Sequence, residues 1–175
     1  MTREQLEHVL RAAAVIANEN SMVVVGSQAI LLPFPNAPAA LLVSREIDLY
    51  PAVHPERADL IDGAIGAMSS FDETFGYHAD GVGPETAVMP ADWMSRASFH
   101  YIGEVTAICP DIHDLAVSKA VAARDKDADF VRILLEEKMI DIETLQDRIR
   151  CLDPARAPIA SVLAWARRRA IEACP

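Results

Sequence analysis

The chain has 175 residues, 51% of them hydrophobic, with 26 acidic and 16 basic side chains and a formal net charge of -10. This length favours one domain and a real core, burying roughly 70% of the unfolded surface. The ordinary apolar and charged fractions exclude a disordered chain, a collagen-like repeat and a disulfide-dense miniprotein, and the acidity argues against a broad duplex-DNA-binding surface, which needs clustered Lys and Arg.

The charge is uneven. Residues 1–110 hold 5 basic and 14 acidic side chains, net -9, while residues 111–175 hold 11 and 12, net -1. All three lysines (Lys119, Lys126, Lys138) lie in one short stretch. They mark either a solvated helical face or a source of cations for a site whose anions lie upstream. Cys109, Cys151 and Cys174 form no CxxC pair, which suggests free thiols in a reducing compartment, with Cys109 in the core. The first twenty residues contain no long apolar stretch of a signal peptide, and no run reaches the roughly 18 apolar residues of a membrane span. The expectation is a cytoplasmic protein that does not bind membranes.

In chain order, residues 3–18 form an amphipathic helix through Leu6, Val9, Leu10, Ala13, Val15 and Ile16. Met22 to Val25 is a buried strand stopping at Gly26. Ser27 to Leu32 begins a helix that Pro33, Pro35 and Pro38 prevent from continuing, leaving an irregular apolar loop. Residues 45–50 (REIDLY) alternate as a half-buried strand. A helix is expected over residues 55–68, with Leu60, Ile61, Ala64, Ile65 and Met68 on one side. A strand is expected over 73–79, a turn-rich loop over 80–84, and a hairpin over 97–108 turning at Gly103. From Asp111 the pattern is helical, with a capped start at Asp111 and Asp114. One helix carries Leu115 to Ala122 and a second carries Phe130 to Leu135. Two more are expected over 141–150 and 155–170. The layout is α+β: a small mixed β-sheet core over 1–110, then a C-terminal helical bundle over 111–175, expected to pack as one compact unit.

Three features carry chemistry. Gly26-Ser27 follows a strand. Glycine permits close backbone approach, and amides at a helix start can hold phosphate, although strand–Gly–Ser turns are also common structural elements. Glu46 and Asp48 stand at i and i+2 of a strand and project together. They mark either a solvent-facing surface or a cation site, since paired carboxylates repel unless a cation sits between them. Mg²⁺ favours one or two protein carboxylates plus substrate phosphates. The third feature is the run Lys119 to Asp127. Lys119 and Lys126 share a helix face if the helix continues, with Arg124 on another side.

Taken together, VVVGSQAIL (23–31), SREIDLYP (44–51) and DLAVSKAVAARDKDADFVRILL (114–135) resemble the DNA polymerase β-like nucleotidyltransferase superfamily. Within it, the AbiEii-type or MenT-like branch and its uncharacterised relatives are most similar. The resemblance implies that Gly26 and Ser27 hold the triphosphate, with Ser44 where the family often has Thr. It implies that Glu46 and Asp48 bind Mg²⁺ or Mn²⁺ and that Lys119 contacts nucleotide phosphate, with Arg124, Lys126 and Asp127 beside it. Asp80 is the candidate third carboxylate, though an Asp-Gly turn explains it equally. The implied activity is transfer of a nucleoside monophosphate from a nucleoside triphosphate to a hydroxyl on an RNA end or a protein, in a toxin–antitoxin setting. Two positions depart from the pattern. Glu46 replaces the more usual Asp, and the gap from Ser27 to Glu46 is longer. The alternative that follows is a catalytically weakened member acting as a binding partner. An RNA acceptor would need a local basic groove, for which Arg148, Arg150 and Arg167 to Arg169 are candidates, although a helix end explains the last three as well. His8, His54, His78, His100 and His113 show no metal-ligand spacing such as HxxxH or HExxH and read as surface or satisfied polar residues. Trp93 and Trp165 read as packing residues.

Overall fold

The structure is a computed structural model describing residues 1–174. It is α+β, with a five-stranded mixed sheet and seven α-helices among the described residues. The chain divides into two compact units: Met1–Thr86 with Ala97–Cys109, and Ala87–Arg96 with the chain from Pro110 onward.

The first unit contains the sheet. Helix α1 (Arg3–Ala17) starts where Thr2 and Gln5 exchange hydrogen bonds in a capping box, and it ends at Asn18 in the left-handed region (φ 49°). Leu6, Val9, Leu10 and Ala13 are buried as expected, but Val15 points to solvent and Ala14 and Ala17 are buried instead. Strand β1 (Ser21–Val24) runs through Val25 into a 3-10 turn over Ser27–Leu31. The proline-rich stretch holds only a short 3-10 turn at Ala39–Leu41, pinned by buried Leu41.

Strand β2 (Glu46–Pro51) follows. The helix expected over 55–68 is shorter. A 3-10 turn over Pro55–Arg57 leads into α2 (Ala58–Ile65), whose buried side is Ala58, Ile61 and Ile65, while Leu60 and Met68 are exposed. Gly66 stops it in an extended conformation, and Met68 takes a positive φ of 62°. The first three residues of the strand expected over 73–79 belong instead to α3 (Ser70–Phe75). Ser69 caps its start by accepting the Asp72 N–H, and Gly76 ends it at φ 75°. These local signals outweigh the weak alternation of the side chains. Strand β3 is therefore His78–Gly81, and Asp80 lies within it, not in a turn.

Strands β4 (Ser98–Ile102) and β5 (Val105–Cys109) form the expected hairpin, turning at Gly103 with φ 63°. The sheet order is β3-β2-β1-β5-β4. The β1–β2 and β4–β5 pairs are antiparallel, and the β1–β5 and β2–β3 pairs are parallel. Parallel pairing of β2 with β3 requires a crossover, which α2 and α3 supply.

The second unit holds α4 (Ile112–Ala122), α5 (Asp125–Glu136), α6 (Ile142–Arg150) and α7 (Ile159–Glu172). Asp111 caps α4 by accepting the His113 N–H. Asp114 is fully buried and forms a two-pronged pair with Arg96 at 2.8 and 3.0 Å. Leu115, Val117, Phe130, Val131, Leu134, Leu145, Ile149, Val162 and Trp165 are buried in this unit. No helix among the described residues is long and apolar enough to cross a membrane.

Candidate functional site

Strand β2 alternates as its sequence requires. Ile47 and Leu49 are fully buried, and Glu46 and Asp48 are half-buried. The parallel register with β3 then sets Glu46 opposite His78 and Asp48 opposite Asp80. Residues opposite one another on neighbouring strands share a face, so the four polar side chains form a two-by-two patch. The alternate positions Ala79 and Gly81 belong to the other face.

 Gly81 shows what covers that other face: a Cβ there would come within 2.0 Å of the Ala58 carbonyl oxygen, so α2 packs against it. The polar patch lies on the face away from α2.

Gly26 closes one side of the patch. The Val25 N–H donates to the Asp48 carbonyl at 2.9 Å, which brings the turn alongside β2. A Cβ on Gly26 would fall 1.8 Å from Asp48 Oδ2. Its φ of -65° is open to any residue, so glycine is required here by proximity to a carboxylate and not by backbone freedom. The turn after it is a five-residue 3-10 segment and not the α-helix start that the sequence suggested. Ser44 caps the entry to β2, its hydroxyl accepting the Glu46 N–H at 3.3 Å.

The electrostatics of the patch are those of crowded anions. Burial, then Asp48 and Glu46, push the Asp80 carboxyl above its ordinary value, and His78 opposes them. His78 Nε2 lies 3.5 Å from Asp80 Oδ1, and its Nδ1 lies 3.2 Å from Asp72 Oδ1 on α3. Asp72 is held below the usual carboxylate range, first by the Met68 N–H and then by His78 and Arg45. One donor atom each from Glu46, His78 and Asp80 lies within 4.8 Å of the others. Two carboxylates and an imidazole this close form a donor set that fits a divalent cation, and Asp48 adds a further carboxylate beside Asp80.

His78 stands at no metal-ligand spacing from another histidine in the sequence, which hides it as a candidate ligand. The signal was the alternation of His78 and Asp80 within one strand, which places them on one face. Asp80, read equally as a turn residue, is the strand partner of Asp48.

The remaining sequence-derived residues belong to the helical unit. Lys119 is buried near the end of α4, with Nζ 3.7 Å from Asp127 Oδ1 and 5.9 Å from the centre of the Phe130 ring. The helix does not continue to Lys126: Ala123 takes a φ of 52°, and α5 restarts at Asp125. Lys119 and Lys126 therefore lie on different helices. Asp127 is buried and accepts from the Arg124 N–H at 3.2 Å and from Arg124 Nε at 2.7 Å. It ties the α4–α5 corner together. Of the arginines considered for a basic groove, Arg150 pairs with Asp147, and Arg169 pairs with Glu172 while lying over the Trp165 ring.

No curated protein and no solved structure matches the chain. A family model described as "Nucleotidyltransferase of unknown function (DUF6036)" matches residues 4–167, nearly the whole chain. The chain belongs to this family and so to the nucleotidyltransferase superfamily.

Proposed function

We propose that the protein moves a nucleoside monophosphate from a nucleoside triphosphate to a hydroxyl on an RNA end or a protein, using Mg²⁺ or Mn²⁺ held at Glu46, Asp48 and Asp80. The observation that carries this is the carboxylate patch on β2 and β3 beside the Gly26 turn. A bound divalent ion supplies positive charge to the triphosphate and lowers the pKa of the attacking hydroxyl. The chain's own residues do the rest. Glu46 and Asp48 hold the cation from one strand face, and Gly26 leaves room for the Asp48 carboxylate. Asp80 holds the cation from the neighbouring strand, while the acceptor hydroxyl gives its proton to solvent as the new phosphoester bond forms and pyrophosphate leaves. Gly26 and Ser27 contact the triphosphate. For Ser44, Lys119, Arg124, Lys126 and Asp127, nucleotide contact is inferred from the sequence motifs, as are the AbiEii/MenT-like branch and a toxin–antitoxin role.

The test is transfer from α-labelled nucleoside triphosphates to total RNA and purified protein. Glu46→Ala and Asp48→Ala are each expected to lower label transfer by about 100-fold or more. Transfer unaffected by either substitution overturns the site.

A second reading is favoured by Glu46 standing where the superfamily usually has Asp: a weakened member that serves as a binding partner. Calorimetry with Mg-ATP and Mg-CTP separates the two, because triphosphate binding supports the enzyme and its absence supports the partner.

A further inference from the structure

We propose that His78 is itself a metal ligand, through Nε2, that Asp72 orients its ring, and that the resulting nitrogen–oxygen donor set prefers Mn²⁺ to Mg²⁺. This rests on the metal-dependent reading above and adds to it a ligand that the family resemblance does not supply.

The sheet register places His78 directly opposite Glu46 on the polar face. Its side chain is only 15% exposed, so the ring is set by its neighbours and not by solvent. Nδ1 lies 3.2 Å from Asp72 Oδ1; both atoms are buried, and neither makes an aligned hydrogen bond, to the other or to any further group, among the described residues. Asp72 is in turn fixed by the Met68 N–H at 3.2 Å and paired with Arg45 at 3.6 Å. A metal-binding histidine commonly gives its other ring N–H to a carboxylate, which sets the tautomer and the ring direction. With that proton on Nδ1, Nε2 presents a lone pair. The lone pair faces Asp80 Oδ1 at 3.5 Å, and a cation between the two electron-rich atoms relieves their repulsion.

Glu46 completes the set. Its longer arm brings a carboxylate oxygen into the same 4.8 Å cluster as the His78 and Asp80 donors. The Glu in place of the usual Asp thus fits a site that includes an imidazole. Mg²⁺ takes oxygen donors and dehydrates reluctantly, whereas first-row transition ions accept imidazole nitrogen.

The experiment uses the full chain loaded with Mn²⁺. Pulsed electron paramagnetic resonance of the wild type is expected to show coupling to ¹⁴N that changes on ¹⁵N-histidine labelling. His78→Gln is expected to abolish the coupling and to weaken Mn²⁺ binding by about 10–100-fold, with little change for Mg²⁺. Asp72→Asn is expected to weaken Mn²⁺ binding while keeping the nitrogen signal. It also serves as the second variant if circular dichroism shows that His78→Gln does not fold. Bound Mn²⁺ without nitrogen coupling, coupling that survives in His78→Gln, or wild-type preference for Mg²⁺ overturns the proposal and leaves the carboxylate site standing. If calorimetry detects neither ion on the wild type, the metal-dependent reading falls as well.

Discussion

Gly26 shows how one missing side chain shapes the candidate site. An alanine there would put its Cβ 1.8 Å from Asp48 Oδ2, so the short Asp side chain would have to swing away. Gly26→Ala is therefore expected to lower divalent-cation affinity at least about tenfold, with a stability loss of about 1–3 kcal/mol from local overpacking. Calorimetric Mn²⁺ titration and urea unfolding measure the two, and unchanged cation affinity would show that Asp48 does not bind the ion. The glycine was legible in the sequence as a point of close approach. What it approaches was not, because that depends on the pairing of β1 with β2.

At the scale of the element, α4 is held at its start by two acidic residues with different roles. Asp111 caps it from a half-exposed position, and Asp114 is buried against Arg96. Asp111→Ala is expected to cost about 1 kcal/mol at neutral pH. The first cause of its lowered carboxyl pKa is the His113 side chain. A depressed folded-state pKa contributes stability above the ordinary carboxylate range, which is lost as pH falls through the depressed value. The penalty of the substitution should therefore shrink in acid, as urea unfolding across pH can measure. Asp114→Ala leaves the Arg96 guanidinium without its two-pronged acceptor and is expected to cost about 3 kcal/mol. A loss below that of the Asp111 variant would show that the buried pair contributes little. The sequence marked both as acids near a helix start. Burial separates them, and burial follows from the packing of Ala87–Arg96 with the later helices. The same limit applies at 69–76, where Ser69 and Gly76 carry start and stop signals for a short helix although a strand was expected from residue 73.

On the scale of the whole molecule, the excess of acids carries a stability cost where carboxylates crowd on β2 and β3. Burial and the neighbouring carboxylates raise the Asp80 pKa. A raised folded-state value favours the fold below the ordinary carboxylate range, and that contribution is lost as pH rises through the raised value. Ionised Asp80 thus opposes folding of the metal-free protein at neutral pH. Asp80→Asn should raise the melting temperature in chelator at pH 7, and the difference from wild type should close as the pH falls below the ordinary carboxylate range. Mn²⁺ should then raise the melting temperature of the wild type more than that of the variant. Thermal melts in chelator and in Mn²⁺ measure this, and an Asn variant no more stable than wild type in chelator would remove the repulsion from the account.

The sequence by itself determined the elements whose signals are local: α1 from its 3.6-residue period, β2 from its alternation, the β4–β5 hairpin from Gly103, and the helical character after Asp111. It also determined that Glu46 and Asp48 share a face, because a strand's period is two wherever the strand lies. The tertiary structure alone decided that Asp80 stands opposite Asp48, that His78 stands opposite Glu46, and that Gly26 abuts Asp48. Those relations depend on register between strands far apart in the chain, which no local period encodes.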